Sequence, residues 1–125
     1  MATKKVKITV STLKDHLEMF AKAFSDIKEG LHVEPYSIIS FATFEQYMRT
    51  FTSRRMELLK ITSLKKPKTI SELAKMANRD FKNVYSDVKL LETYGMIKLK
   101  KINSGLMPIA VYNEIDLDIK IPLTA

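Results

Sequence analysis

TISELAKMANRDFKNVYSDVKLLETYG, residues 69–95, is the stretch on which the fold turns. Thr69 and Glu72 have the spacing of a capping box, in which the hydroxyl and the carboxylate satisfy opposite orphan amides at a helix start. A helix is expected from Ile70 to Met76, burying Ile70, Leu73 and Ala74 and ending in Ala77, Asn78 and Arg79. Asp80 is a good N-cap for a second helix. Two short helices joined by three or four residues, with small Ala74 and Ala77 where they approach, make a helix-turn-helix.

Phe81, Val84, Val88 and Leu91 recur at steps of three, four and three, so these four are expected to face the core. At about 100° per residue the opposite side of the helix, which runs to about Tyr94, presents Lys82, Asn83, Ser86, Lys89 and Thr93. Lysine neutralises phosphates or reaches guanine edges, asparagine pairs bidentately with adenine, and serine donates or accepts. Tyr85 lies on the flank, where a phenol can meet phosphate or sugar. Asp87 and Glu92 are expected on other flanks, leaving the exposed side without carboxylates.

After Gly95, residues 96–102 alternate imperfectly, with Ile97, Leu99 and Lys101 expected on one side and Met96, Lys98, Lys100 and Ile102 on the other. Asn103, Ser104 and Gly105 form a turn, and Met107 to Tyr112 can return as the partner of a β-hairpin. A basic hairpin directly after such a helix reads as a wing. It would set Lys98, Lys100 and Lys101 beside a phosphate backbone and Asn103 near a minor groove, although the lysines equally suit a solvated strand face. Ile115, Leu117, Ile119 and Ile121 alternate with Asp116, Asp118 and Lys120 as a last strand.

Upstream, Lys65, Lys66, Pro67 and Lys68 form a connection that breaks a helix at proline. Before it, a helix from Arg54 to Leu64 is expected to bury Met56 and Leu59, with Leu58 and Ile61 as further candidates, and to leave Arg54, Arg55 and Lys60 solvated. Thr52 or Ser53 starts it. Thr43 and Gln46 begin a short helix in which Phe44, Tyr47, Met48 and Phe51 share a side.

At the beginning of the chain, Val6, Ile8 and Val10 alternate with Lys5, Lys7 and Thr9 as a half-buried strand. Leu13, Leu17, Phe20, Phe24, Ile27 and Leu31 then line one side of a helix from about Thr12 to Glu29, capped by Thr12 with Asp15 and ended by Gly30. That stripe reads either as core or as the seam of a helix shared between two subunits. Glu34 and Pro35 interrupt the pattern before a strand from Tyr36 to Phe41.

The 125 residues carry a formal charge of +7, and its placement is uneven. Residues 1–53, 54–101 and 102–125 carry +1, +8 and −2, so the helix-turn-helix stretch holds the excess and points to a polyanionic partner. With no cysteine, disulfides and thiolate metal sites are excluded. His16 and His32 have no ligand spacing, so no metal or cofactor is expected. Three glycines cannot build a phosphate-cradling loop and no nucleophile stands beside a histidine with an orienting acid, so an enzyme is not expected. No run is long and apolar enough to span a bilayer and the first ten residues lack the apolar core of a secretory signal, so a cytoplasmic chain with no membrane partner is expected.

The run from Ser53 to Leu59, then Thr69 to Ala74, Arg79 to Glu92 and Tyr94 to Ile97, resembles MarR-like winged-helix regulators of archaea and bacteria. The resemblance covers residues 43–121. It implies double-stranded DNA as partner and a recognition helix carried by Lys82, Asn83, Ser86 and Lys89. Arg79, Tyr85 and the wing residues Lys98, Lys100, Lys101 and Asn103 are expected as further contacts. The expected architecture is α+β, mainly α: a strand-helix-strand element over 1–42 that serves for homodimerisation, then a winged helix-turn-helix over 43–125 with a C-terminal strand. A winged-helix module that docks on protein is the alternative. No small-molecule effector is specified.

Overall fold

A computed structural model of the chain describes residues 4–30 and 37–124. Among the described residues are five helices and five strands, an α+β arrangement about half helical. Leu31, His32, Glu34, Pro35 and Tyr36, which figure in the expectations above, lie outside the described residues. The chain divides into two compact units, one of Phe51–Asn113 with Lys4 and one of Lys5–Thr50 with Glu114–Ala125. Residues 43–50 and the C-terminal strand group with the N-terminal elements in the latter unit.

The second unit is built on a parallel sheet of β1 (Lys5–Val10), β2 (Ser37–Phe41) and β5 (Glu114–Ile119), in the order β2-β1-β5. The register explains why β5 joins it. Val6, Ile8 and Val10 pair with Ile115, Leu117 and Ile119, which stacks apolar side chains on one face. On the other face Lys5 approaches Glu114 at 3.9 Å and Lys7 approaches Asp118 at 4.0 Å, so a basic strand meets an acidic one. On the apolar face Phe41 packs edge-on against Tyr47 of α2 (Phe44–Thr50), with ring centroids 6.0 Å apart. Gln46 N–H donates to Thr43 Oγ1 and starts α2, while Met48, expected to share a side with Phe44 and Tyr47, is exposed.

The crossover from β1 to β2 is α1 (Leu13–Lys28), which parallel strands require. Thr12 caps it by accepting from Asp15 N–H at 3.2 Å, and Gly30 follows it at φ 77°. Its apolar stripe is not core. Leu13, Leu17, Phe20, Phe24 and Ile27 are 61–73% exposed, and α1 has no buried residue. The reason lies in the sheet. The face beside α1 carries Thr9 and Asp118, and the helix turns Asp15, His16 and Met19 toward it, with His16 Nε2 3.4 Å from Thr9 Oγ1.

The first unit packs α3 (Ser53–Lys65), α4 (Ile70–Ala77) and α5 (Phe81–Thr93) with a hairpin of β3 (Ile97–Ile102) and β4 (Gly105–Ala110). Thr52 caps α3, which buries Leu58, Leu59 and Thr62; Met56 and Ile61 are only half-buried. Lys66 adopts the left-handed region at φ 49° to end α3, and Pro67 is buried behind it. Leu58, Leu73, Val84, Val88 and Leu91, each fully enclosed, form the centre with Ile70, Ala74, Met96 and Ile97. Burying a side chain of this size stabilises by about 1.5–3 kcal/mol, which is why three short helices hold together.

Candidate functional site

Three residues connect α4 to α5, and each has a separate task. Asn78 turns the chain in the left-handed region at φ 54°, where asparagine is tolerated better than most side chains. Arg79 N–H donates back to Ala74 O at 3.0 Å, satisfying a carbonyl at the end of α4. Asp80 caps α5, accepting from Asn83 N–H at 3.4 Å. Gly95, at φ 76°, ends α5 as Met96 N–H donates to Leu91 O at 2.9 Å, a six-residue closure with both side chains buried.

This frame orients α5 about its own axis. Val84, Val88 and Leu91 are fully buried, and Lys82, Asn83, Tyr85, Ser86, Lys89 and Thr93 are exposed. The expected polar side is therefore open to solvent. Phe81 departs from expectation: it is 48% exposed and its ring centroid lies 5.8 Å from that of Tyr85, on the outside. As the first helical residue it projects from the end of the helix, beyond the reach of the core. Its position directly after the N-cap is the signal that periodicity alone overlooked.

Arg79, expected among the contact residues, is engaged elsewhere. Its Nη2 donates to Asp87 Oδ2 at 2.8 Å and Arg55 Nε donates to Asp87 Oδ1 at 3.0 Å, with only 14–22% of the three side chains exposed. Arg55 is accordingly not the solvated residue expected. One carboxylate thus ties α3, the turn and α5 together, and Arg79 Nη1 is enclosed without a hydrogen-bond partner. Hydrogen bonds to charged groups contribute more than neutral ones, so this cluster adds to the packing that holds α5 to α3.

Glu92 is also not confined to another flank. Lys89 Nζ donates to Glu92 Oε1 at 2.8 Å, and this hydrogen bond, followed by the attraction of the carboxylate, raises the Lys89 pKa above the usual lysine value. The ammonium is secured in its charged form. An exposed pair three residues apart is held weakly, so the lysine can exchange its partner for another anion. The i,i+3 spacing was the sequence signal for this contact.

The hairpin places Lys98, Lys100, Lys101 and Asn103 on the surface. Leu99 pairs with Pro108 and Ile97 with Ala110 on the side that packs inward, whereas Lys98 and Lys100 point the other way beside Ile109 and Met107. Lys101, expected in phase with Leu99, is exposed because it pairs with Leu106 one step from the turn. The turn is short: Ile102 pairs with Gly105, leaving Asn103 and Ser104 at the tip. Gly105 lies alongside Thr69, where an added Cβ would come within 3.9 Å of Cγ2. Among the described residues no His, Cys, Asp and Glu gather as metal ligands, and no helix is long and apolar enough to cross a membrane.

Lys82, Asn83, Ser86 and Lys89 on α5, with Lys98 and Lys100 on the hairpin, all belong to the Phe51–Asn113 unit, whose segment holds thirteen Lys/Arg against five Asp/Glu. Cations, an amide and a hydroxyl on a rigid helix can neutralise and hydrogen-bond an anionic surface. The family model HVO_A0114 matches residues 50–117, the span from the last residue of α2 into β5. No curated protein and no solved structure matches the chain. The matched span exceeds half the chain, and the protein belongs to the HVO_A0114 family.

Proposed function

We propose that this member of the HVO_A0114 family is a MarR-like winged helix-turn-helix regulator of transcription that binds double-stranded DNA. In this reading α4 and α5 are the helix-turn-helix, α5 enters the major groove, and the β3–β4 hairpin is a short wing on the sugar-phosphate backbone. Lys82, Asn83, Ser86 and Lys89 reach base edges and phosphates; Lys98, Lys100 and Lys101 bind phosphates, and Asn103 approaches the minor groove. Phe81 and Tyr85 add an apolar surface suited to a thymine methyl. Arg79 serves as a support for α5 through Asp87.

The observation that carries the proposal is that Lys82, Asn83, Ser86 and Lys89 are exposed together on a helix whose other side is locked by Val84, Val88 and Leu91. Selection of bound duplexes from a random pool, followed by titration at several salt concentrations, tests it. Log affinity should fall with log salt at about −0.9 per contacted phosphate. Replacing Lys82 and Lys89 by alanine should weaken binding and flatten that slope by up to about 2. Unchanged affinity in the double variant would overturn the site assignment.

A second reading, a protein-docking winged helix, is favoured by the exposed Phe81–Tyr85 pair, since aromatics are enriched where proteins meet. Salt-insensitive capture of a protein with no affinity for duplex DNA or RNA selects it.

A further inference from the structure

We propose that the apolar side of α1 is the interface of a homodimer, with the α1 helix of a second copy lying parallel along it. This stands independently of what α5 binds.

Leu13, Leu17, Phe20, Phe24 and Ile27 occupy one side of α1 at 61–73% exposure. Taking Met19 as the side turned to the sheet, the stripe is centred roughly 120° away round the helix, so neither β1 nor its neighbours can cover it. Five large apolar side chains in one row exceed the scattered exposure normal for a monomer.

Three observations fit a second copy as occupant. The steps of four, three, four and three between these residues give the row a 3.5-residue repeat that an identical helix can match along its whole length. Ala21 and Ala23 flank the middle of the row, so a second helix can approach closely. The area is also sufficient. The five side chains expose on the order of 600 Å² per copy, and burying both rows removes roughly 1,200 Å², the lower bound of stable specific interfaces.

Charge sets the direction. An antiparallel pair would bring Lys14 of one copy opposite Lys28 of the other at both ends, whereas a parallel pair puts Lys28 opposite Ala23. Like charges face to face disfavour the first arrangement. The parallel pair has a two-fold axis along the helices, and a regulator so built would carry two equivalent α5 helices and prefer inverted repeats.

Sedimentation velocity on the full chain, from about 1 to 100 µM, should show a species of twice 14.4 kDa at the upper end. Leu17→Glu with Phe24→Glu should weaken dimerisation at least tenfold and leave the far-ultraviolet circular dichroism unchanged, because neither side chain is buried in the single chain. The chain has no cysteine, so Ile27→Cys supplies a single thiol. In the parallel dimer it should form a disulfide-linked pair on mild oxidation, and it reads the interface without disturbing its charge. A wild-type chain that is monomeric at 100 µM, a charged double variant that remains dimeric, or a dimer in which Ile27→Cys fails to cross-link would overturn the proposal.

Discussion

Helices α1 and α5 are both amphipathic with apolar residues every three or four positions, yet their fates are opposite. In α5, Val84, Val88 and Leu91 are fully buried; in α1 the matching row is 61–73% exposed. The units also differ in charge. Phe51–Asn113 holds thirteen Lys/Arg against five Asp/Glu, while the segments of the other unit hold seven against nine. Periodicity states that a helix owns an apolar side. It does not state which surface covers it. In the first unit α3, α4 and the hairpin supply that surface, and in the second the sheet turns a polar face to the helix.

Truncating one residue from each row should separate the two helices by the widest margin. Leu91→Ala should cost about 2–5 kcal/mol, the loss expected when a fully buried leucine leaves a cavity. Leu17→Ala, measured by urea unfolding at low micromolar concentration, should change stability by no more than about 0.5 kcal/mol. Equal losses would show that the α1 row is packed after all.

A smaller effect is expected at Asp87. Replacing it by alanine leaves Arg55 and Arg79 mutually repelling and largely enclosed, and should cost about 2 kcal/mol in the same unfolding assay. If the loss is indistinguishable from zero, the cluster does not join α3 to α5. Smaller again, Phe81→Ala should destabilise by less than about 1 kcal/mol, since a core phenylalanine would lose about 3–5. Duplex affinity should fall in the same variant, and substituting uracil for thymine in the selected site should reproduce that fall in the wild type but not in the variant.

The smallest effect belongs to Glu92→Gln, which should return the Lys89 pKa toward the ordinary lysine value in an NMR titration. Because folding raises that pKa, the stabilisation from the pair is fully present below the usual lysine pKa. It disappears only as pH rises through the raised value. Unfolding stability near neutral pH should therefore carry no pH dependence from this pair. Duplex affinity should rise, with the salt slope steeper by about 0.9 if one further phosphate is reached.

Much of the first unit was legible along the chain. Thr52, Thr69 and Asp80 cap the helices that their spacing predicts, and Gly95 ends α5. The exposed set of Lys82, Asn83, Ser86 and Lys89 followed from phasing by Val84, Val88 and Leu91. Less legible was what charged side chains do with one another. Asp87 and Arg79 are eight positions apart and Asp87 and Arg55 thirty-two, so neither contact leaves a helical-period signal. Phe81 fits the three-four pattern yet lies outside, because the pattern carries no information on where the core ends.

By itself, the amino-acid sequence determined the turns, the caps, the strand alternation and the rotation of α5, all of which arise from residues within about one helical turn of each other. Only long-range packing decided that β5 pairs with β1 across 109 positions, that Asp87 gathers two arginines, and that the apolar row of α1 faces outward. The physical reason is common to all three. Local hydrogen bonding is settled by neighbours, whereas burial and ion pairing depend on which distant surfaces the whole chain brings into contact.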